Sequence, residues 1–278
     1  MANHYRSEID GLRAVSVIGV VLFHLGLGFP GGFVGVDVFF VISGYLITGI
    51  LLRQLGEDRF SLMDFWARRV RRIVPAAIVM VVGTLLIGGL LQTPDRYASL
   101  ARSAMAHVLM ASNCYFTRDQ GYFAEKSDYE PLLHTWSLSV EEQFYLIFPL
   151  IVCFVWKQAP QRLAIVFTSV ALISFSWSWL EVASDPKWAF FLLPARGWEL
   201  LAGAFLATLP QKTTRSFCDE AWAVLGLVLV LAPMFLFDRQ TAFPGPAALP
   251  PVLGAALLIW TGGGTKIGKL LGWRALVK

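Results

Sequence analysis

Long, continuous runs of apolar residues recur along the chain and constrain its fold more than any other feature. A helix needs about 20 predominantly apolar residues to cross the hydrocarbon core of a bilayer, and several runs approach or reach that length. Of the 278 residues, 56% are hydrophobic and 15% are charged, whereas a soluble domain carries about 25% charged residues. The runs do not alternate as the strands of a membrane barrel do. We therefore predict an all-α, multi-pass membrane protein.

The hydropathy pattern predicts about eight transmembrane helices in one domain. They cover residues 12–29, 34–55, 73–92, 136–156, 163–181, 189–209, 221–237 and 248–263. A further segment, Tyr97 to Phe116, is helix-like but only moderately apolar. A span there would reverse the charge bias of every later loop, so we predict an amphipathic or re-entrant helix instead.

Lysine and arginine are concentrated in one of the two sets of segments that connect the predicted spans. This set comprises the N-terminus, 53–72, 157–162, 212–215 and 266–278. By the positive-inside rule, these segments and both termini face the cytoplasm. The net charge of +4 follows from these basic loops and does not indicate a nucleic-acid partner. The three cysteines are scattered without the spacing of metal ligands, so we predict no metal site.

Arg13 and His24 lie eleven residues apart in a stretch that is otherwise almost wholly apolar. Eleven residues make close to three helical turns, so both side chains lie on one face, about 16 Å apart along the axis. Ionisable side chains within a span are costly, and function is the default explanation for them. The pair predicts a cation near one membrane surface and an imidazole deeper in the bilayer.

Asp37 follows the turn at residues 30–32 about as closely as His24 precedes it. Two antiparallel helices joined by a short loop place such residues at similar depth. A carboxylate beside an imidazole fixes its tautomer and raises its basicity, as a general base requires. The alternative is a buried polar pair that only locks the hairpin.

Two pairs of charged residues at helical spacing follow. Arg69 and Arg72, in the predicted loop before the third span, lie on one helical face and suit bidentate phosphate binding. Topology signalling and anionic lipid binding are the alternatives for these arginines. Arg196 and Glu199 in the sixth span fit an intrahelical ion pair, which would still mark a polar cavity.

The fourth span opens with a cluster of polar and aromatic residues that includes Trp136. Glu141 and Tyr145 are four residues apart and share a helical face. Ser139 and Glu142 fit a capping box, which would give Glu142 a structural role. No such role explains Glu141, so we predict that it faces the protein interior.

Five segments resemble, in this order, the membrane-bound acyltransferase-3 family: DGLRAVSVIGVVLFH, GGFVGVDVFFVISGYLI, FWARRVRRIVPA, HTWSLSVEEQFYLIFP and LLPARGWELLAGAFLA. The similarity is strongest to bacterial O-acetyltransferases of lipopolysaccharide O-antigen, a branch that often carries an SGNH-type domain. The resemblance implies about ten spans in the intact domain, each of the length that a bilayer requires. Residues 1–278 would then be an acyltransferase-3 transmembrane domain that is incomplete at its C-terminus.

The resemblance implies transfer of an acetyl group from cytoplasmic acetyl-CoA to a hydroxyl of a cell-surface polysaccharide, at the bacterial inner membrane. The family's Arg-x10-His motif falls on Arg13 and His24, and its Arg-x-x-Arg motif falls on Arg69 and Arg72, with Arg68 and Arg71 as the offset alternative. We expect three groups of site residues: His24, Asp37 and Glu141 in catalysis; Arg13, Arg69, Arg72 and Ser43 for acetyl-CoA; and Trp136, Glu142, Tyr145, Arg196 and Glu199 for the acceptor.

The expected mechanism brings the thioester of acetyl-CoA along the Arg13–His24 face of the first helix. Gly35, Ser43 and Gly44 in the second span would leave room for the pantetheine arm. Direct transfer and a covalent relay through His24 both remain open. The alternative function is a transporter of an anionic or acylated substrate, because buried charges also mark transport pathways.

Overall fold

The computed structural model describes residues 6–118, 130–210, 216 and 218–277, and helices are the only regular secondary structure in these ranges. The α-helices are α1 (Ser7–His24), α2 (Gly35–Gly56), α3 (Leu62–Leu91), α4 (Pro94–Val108), α5 (Ser112–Phe116), α6 (Thr135–Gln158), α7 (Leu163–Ser184), α8 (Pro186–Phe191), α9 (Leu193–Thr208), α10 (Asp219–Leu236), α11 (Leu249–Thr261), α12 (Lys266–Leu271) and α13 (Arg274–Val277). Short 3-10 turns lie at Gly32–Val34, Pro160–Arg162 and Gly245–Ala248. The predicted all-α fold is thus confirmed for the described residues.

Six helical segments of the described chain are long and apolar enough to cross a membrane. They are Gly32–Gly56, Leu62–Leu91, Thr135–Gln158, Pro160–Ser184, Pro186–Thr208 and Asp219–Leu236. Two predicted spans fall outside this set, since α1 is interrupted by charged residues near its start and Gly245–Thr261 is shorter. The multi-pass membrane class is confirmed, while the count of eight and the cytoplasmic N-terminus stay predictions. The basic loop 212–215 lies outside the described residues.

Helix α3 begins at Leu62, well before the predicted start at residue 73, so the arginine cluster lies inside a helix of 30 residues. The Ser61 side chain begins this helix by accepting a hydrogen bond from the Asp64 backbone N–H at 3.2 Å, as a helix cap does. Arginine is a good helix former, and nothing between Leu62 and the apolar run breaks the helix. The prediction of a loop was therefore wrong.

The segment from Tyr97 to Phe116 is divided between α4 and α5, of 15 and 5 residues. Both helices are too short to cross a bilayer. The buried residues of α4 recur at helical spacing and include Leu100 and Ala104, which pack with Val81 of α3. This arrangement agrees with the prediction of an amphipathic helix that does not span the membrane.

The chain forms two compact units, which are described separately. Unit 1 comprises Met1–Ile50, Ala164–Ser176 and Gly197–Lys278, and unit 2 comprises Leu51–Leu163 and Trp177–Arg196. Helices α2, α7 and α9 contribute residues to both units.

Close helix packing in unit 1 depends on glycine. A Cβ atom on Gly44 of α2 would collide with the Leu200 backbone of α9, and one on Gly203 of α9 would collide with the backbone of α2. A Cβ atom on Gly11 of α1 would collide with the Leu271 backbone of α12. Small residues let helix backbones approach closely where lipid replaces water. The helices that carry several candidate site residues are thus fixed by contacts that tolerate no larger side chain.

Buried hydrogen bonds hold α5 within unit 2. The Ser112 hydroxyl donates to the Thr135 backbone oxygen at 2.9 Å and lies 2.7 Å from the Ser139 hydroxyl. The Asn113 amide donates to the backbone oxygen of Phe191 at 3.2 Å. Since buried polar groups are costly unless they are hydrogen-bonded, these contacts fix α5 against the start of α6 and the end of α8.

Candidate active site

Helix α1 of unit 1 carries Arg13 and His24 on its less buried side. The opposite side holds the residues that the unit buries, among them Ile9, Leu12, Ser16 and Gly19. Arg13 is half-buried, with its Nη1 atom 3.5 Å from Asp10 Oδ1, and His24 is exposed at the end of the helix. The helix therefore presents both side chains along one side, about 16 Å apart along its axis.

A hydrogen bond to the backbone indicates which tautomer the neutral His24 ring adopts. Its Nδ1 atom lies 2.7 Å from the backbone oxygen of Val20. A carbonyl oxygen only accepts hydrogen bonds, so Nδ1 must carry the proton. In the neutral ring the lone pair then lies on Nε2. This tautomer is the one that a base at the exposed end of α1 needs.

Asp37 was predicted to orient His24, and the two side chains have different surroundings within unit 1. Asp37 is fully buried at the start of α2, whereas His24 is exposed. The contact that fixes the His24 tautomer comes from Val20. A catalytic role for Asp37 stays a prediction.

Gly35 and Gly44 of the second span were expected to leave room for the pantetheine arm. The packing of unit 1 contradicts this expectation at both positions. The space beside Gly44 is filled by the Leu200 backbone, and the space beside Gly35 is filled by the Ser16 backbone oxygen, 2.5 Å from an added Cβ. Glycine serves close helix packing here rather than an open channel. Ser43, which is 6% exposed, stays a candidate contact for the acetyl donor.

Arg69 and Arg72 lie on α3 of unit 2 in unlike environments. Arg69 is half-buried, with its guanidinium carbon 5.8 Å from the centre of the Phe65 ring, and Arg72 is exposed. Arg68, of the offset pair, donates to Gln54 Oε1 at 3.2 Å. Residues three apart on a helix are neighbours, so Arg69 and Arg72 can both reach one anionic group.

Trp66 is a residue of this region that the sequence reasoning missed. Its indole N–H donates to the backbone oxygen of Tyr145 at 3.1 Å, which ties the arginine turn of α3 to α6. The Tyr145 hydroxyl in turn donates to Glu141 Oε2 at 3.2 Å. The predicted shared face of Glu141 and Tyr145 is therefore present within unit 2. No sequence signal marks a bond to a backbone oxygen, so only the fold reveals the link.

The predicted capping box at the start of α6 was wrong. The helix begins at Thr135, which places Ser139 inside it, and the Ser139 hydroxyl bonds to Ser112. Glu142, which is half-buried, therefore has no capping role. Its place near the start of α6 keeps it a candidate contact for the acceptor.

Arg196 is fully buried in unit 2 among aromatic rings. Its guanidinium carbon lies 5.5 Å from the centre of the Trp136 ring and 5.6 Å from that of Phe190. Cation–π contacts of this kind stabilise a desolvated guanidinium. Glu199, on the same helix, is fully buried as well. Buried charges in a membrane protein indicate function, although no contact here identifies a ligand.

No group of three or more His, Cys, Asp or Glu side chains that suits a metal ion occurs among the residues described.

Comparison with known proteins gives consistent matches over most of the chain. Residues 6–277 match the family model described as "Acyltransferase domain". The chain is 39% identical to the peptidoglycan O-acetyltransferase OatA of Listeria monocytogenes over 272 residues, which cover 91% of this chain and 43% of that protein. It is 36% identical to a putative O-acetyltransferase of Staphylococcus aureus, over 85% of this chain and 41% of that protein.

A third relative is the O-acetyltransferase OatA of Staphylococcus aureus, 36% identical over 73% of this chain and 34% of that protein. The chain thus spans less than half the length of these curated relatives. No solved structure matches the chain.

Proposed function

Because the chain belongs to the acyltransferase family whose domain it matches over residues 6–277, we propose that it moves an acetyl group across the bacterial cytoplasmic membrane. The donor is acetyl-CoA on the inner side, and the acceptor is a hydroxyl of a glycan on the outer side. The observation that carries the proposal is the His24 ring, whose Nδ1 is engaged by the Val20 backbone oxygen at 2.7 Å. With the proton on Nδ1, Nε2 is the nitrogen of this ring that would act as the base for an acceptor hydroxyl.

In the proposed reaction, His24 Nε2 takes the proton of the acceptor hydroxyl while the oxygen attacks the thioester carbonyl. A C–O bond forms, the C–S bond breaks, and the CoA sulfur leaves as a thiolate that then takes the proton from His24 Nε2, which restores the base. In the alternative relay, Nε2 itself takes the acetyl group first and passes it to the hydroxyl. Glu141, which accepts from Tyr145, positions the acceptor or serves as a second base.

The donor is proposed to bind through its phosphates at the arginine turn of α3. Arg69 and Arg72 are three residues apart on that helix, and guanidinium groups bind phosphate through paired hydrogen bonds. Arg13 and Ser43 would contact the rest of acetyl-CoA. Trp66 supports this assignment, because its bond to α6 fixes the turn that carries the arginines.

Two glycans are candidates for the acceptor. The resemblance of the sequence motifs favours lipopolysaccharide O-antigen, whereas the Listeria relative, 39% identical, is named a peptidoglycan O-acetyltransferase. We propose peptidoglycan first, because that identity extends over 91% of this chain. The proposed acceptor contacts are Trp136, Glu142, Tyr145, Arg196 and Glu199. An SGNH-type domain is a proposed partner of this chain.

The test is release of free CoA thiol by the protein in liposomes, given acetyl-CoA inside and glycan outside. We expect release with peptidoglycan strands, and a loss of about 10²–10⁴-fold in rate for His24→Asn, the range that removal of a general base gives. Because His24 is exposed, the variant should unfold at the wild-type temperature. A rate of thiol release in His24→Asn that equals the wild-type rate would show that His24 is not the base. Movement of substrate without any thiol release would support the transporter instead.

A further inference from the structure

Helix α12 of unit 1 lies where a spanning helix enters the membrane. Helix α10, which is long and apolar enough to cross a bilayer, begins at Asp219. In its first turn, the Glu220 carboxylate accepts two hydrogen bonds, at 2.9 and 3.0 Å, from the backbone N–H of Lys266, the first residue of α12. Trp222, also near the start of α10, is 49% exposed, as is typical of tryptophan at a membrane–water interface. The bond to Glu220 therefore holds α12 at the membrane surface.

The six residues of α12 divide between two faces. Lys266, Lys269 and Leu270 are exposed, and residues at this spacing share one face of a helix. Gly268 and Leu271 are buried and lie on the opposite face, since a helix has 3.6 residues per turn. The helix is therefore amphipathic, and its outward face combines two ammonium groups with an apolar side chain.

The buried face of α12 is fixed against the start of α1. A Cβ atom on Gly11 of α1 would collide with the Leu271 backbone, and one on Gly272 would lie 2.6 Å from the Ser7 hydroxyl oxygen. Small residues at such positions let two helices approach closely. Contacts with both α1 and α10 thus hold the exposed face of α12 in one orientation.

The exposed face continues beyond the end of α12. Leu270 is 55% exposed and Trp273 is 62% exposed, and Arg274 at the start of α13 is exposed as well. The sequence from residue 262 to residue 278 contains no Asp or Glu. We call this face the α12 surface; it consists of Lys266, Lys269, Leu270, Trp273 and Arg274. It presents positive charge and apolar side chains together.

An anionic lipid fits the α12 surface better than a soluble anion does. Lysine and arginine at a membrane surface are attracted to anionic headgroups. Leucine and tryptophan beside them enter the boundary between headgroups and acyl chains. A soluble phosphate would pair with the cations but would leave Leu270 and Trp273 in water, where exposed apolar surface is unfavourable. The combination of side chains therefore indicates a phospholipid with a negatively charged headgroup.

We propose that the α12 surface is a binding site for anionic phospholipid. The cations contact the headgroup phosphate, and Leu270 and Trp273 contact the upper part of the acyl chains. A lipid that binds only the folded protein stabilises it, and the packing of α12 on α1 extends this stabilisation to the helix that carries Arg13. The inference goes beyond the proposed function, because lipid binding does not depend on acetyl transfer.

The experiment compares two phospholipids that differ in headgroup charge, phosphatidylglycerol and phosphatidylcholine, added to the protein in neutral detergent. Native mass spectrometry measures the affinity of the tightest-bound lipid, and thermal unfolding measures the stabilisation. We expect phosphatidylglycerol to bind wild type more tightly and to raise its unfolding temperature more. The double variant Lys266→Gln/Lys269→Gln should bind phosphatidylglycerol about 25-fold more weakly, about fivefold for each charge lost, and phosphatidylcholine as wild type does.

Three further variants sharpen the result. Lys266→Arg/Lys269→Arg keeps the charge and should keep the affinity. Lys157→Gln/Arg162→Gln removes the same charge from two exposed positions of unit 2 and should bind as wild type does. Trp273→Ala should weaken binding of both lipids, because the contact of the indole with lipid does not depend on headgroup charge. All four variants alter exposed side chains, so they should unfold at the wild-type temperature without added lipid.

Several outcomes would overturn the proposal. Equal binding of the two lipids by wild type would show that headgroup charge is not recognised. An equal loss in the variants of α12 and of unit 2 would show that only net charge matters. Full affinity in Lys266→Gln/Lys269→Gln would show that lipid does not bind here. Displacement of the lipid by inorganic phosphate would indicate a site for soluble anions, and a wild-type dimer that dissociates in Trp273→Ala would show that a second copy covers the surface.

Discussion

Helices α2 and α3 are both apolar enough to cross a membrane, yet their surroundings are opposite. In the most apolar 18-residue stretch of the segment that contains α2, 67% is buried, whereas the corresponding share in α3 is 11%. A Cβ atom on Gly44 of α2 would enter the backbone of α9, whereas one on Gly83 of α3 would have nothing within 4 Å. Hydropathy therefore finds both helices but does not tell a protein-packed helix from one that faces lipid. Substitutions at the packed glycines of α2 should therefore affect folding, whereas substitutions at exposed positions of α3 should leave folding unchanged.

The largest expected effect comes from adding one methyl group to each helix. Gly44→Ala should lower the free energy of unfolding by about 3 kcal/mol, the upper part of the usual range for overpacking, because the Leu200 backbone must move away. Gly83→Ala should leave it unchanged or raise it by up to about 1 kcal/mol, since alanine is the better helix former. Thermal unfolding of the detergent-solubilised protein measures both. An equal change in the free energy of unfolding in the two variants would contradict the difference in packing between α2 and α3.

An intermediate effect is expected from the arginines of α3. Arg69→Gln and Arg72→Gln should each raise KM for acetyl-CoA by about tenfold, since each loses a charged hydrogen bond to phosphate, and neither should change the unfolding temperature. Kinetics of thiol release test this, with Arg118→Gln at another exposed arginine of unit 2 as the control. A larger effect in Arg68→Gln and Arg71→Gln would move the phosphate site to the offset pair. Unfolding at lower temperature in the α3 variants would contradict the distinction between α2 and α3.

The smallest effect concerns α4, the helix of unit 2 that packs on α3. His107 is 5% exposed, and in the part of the chain that is described its Nδ1 atom has no hydrogen-bond partner. Burial lowers the pKa of His107 below its usual value. As the pH falls through about 6.5, the unfolded chain therefore takes up a proton that the folded protein does not, and the free energy of unfolding decreases.

The pH dependence of thermal unfolding between neutral and mildly acidic pH measures this effect. His107→Gln should lose less stability on acidification than wild type does. His134→Gln, at an exposed histidine of the same unit, should lose as much stability on acidification as wild type does. Identical curves for all three proteins would show that α4 does not contribute a buried histidine to the stability of unit 2.

The sequence predicted the parts of this molecule that depend on composition over many residues. Long apolar runs identified the membrane helices, and the charge bias of the later loops separated Tyr97 to Phe116, which forms α4 and α5, from the spans. The position of Arg69 within α3 was missed because a basic segment before an apolar run is compatible with either a loop or a helix. Ser139 was misplaced because a capping-box pattern also occurs inside helices.

Contacts to backbone atoms could not be predicted at all. The bonds from His24 to Val20 and from Trp66 to Tyr145 end on carbonyl oxygens, which every residue has. The room expected beside Gly44 was misjudged for a similar reason, because the atom that fills it belongs to the main chain of α9.

The bond between His24 and the Val20 oxygen has a consequence for redesign. Its acceptor is present whatever residue occupies position 20, provided that the last turn of α1 stays helical. The side chain at position 20 can therefore be varied without rebuilding the hydrogen bond of the imidazole.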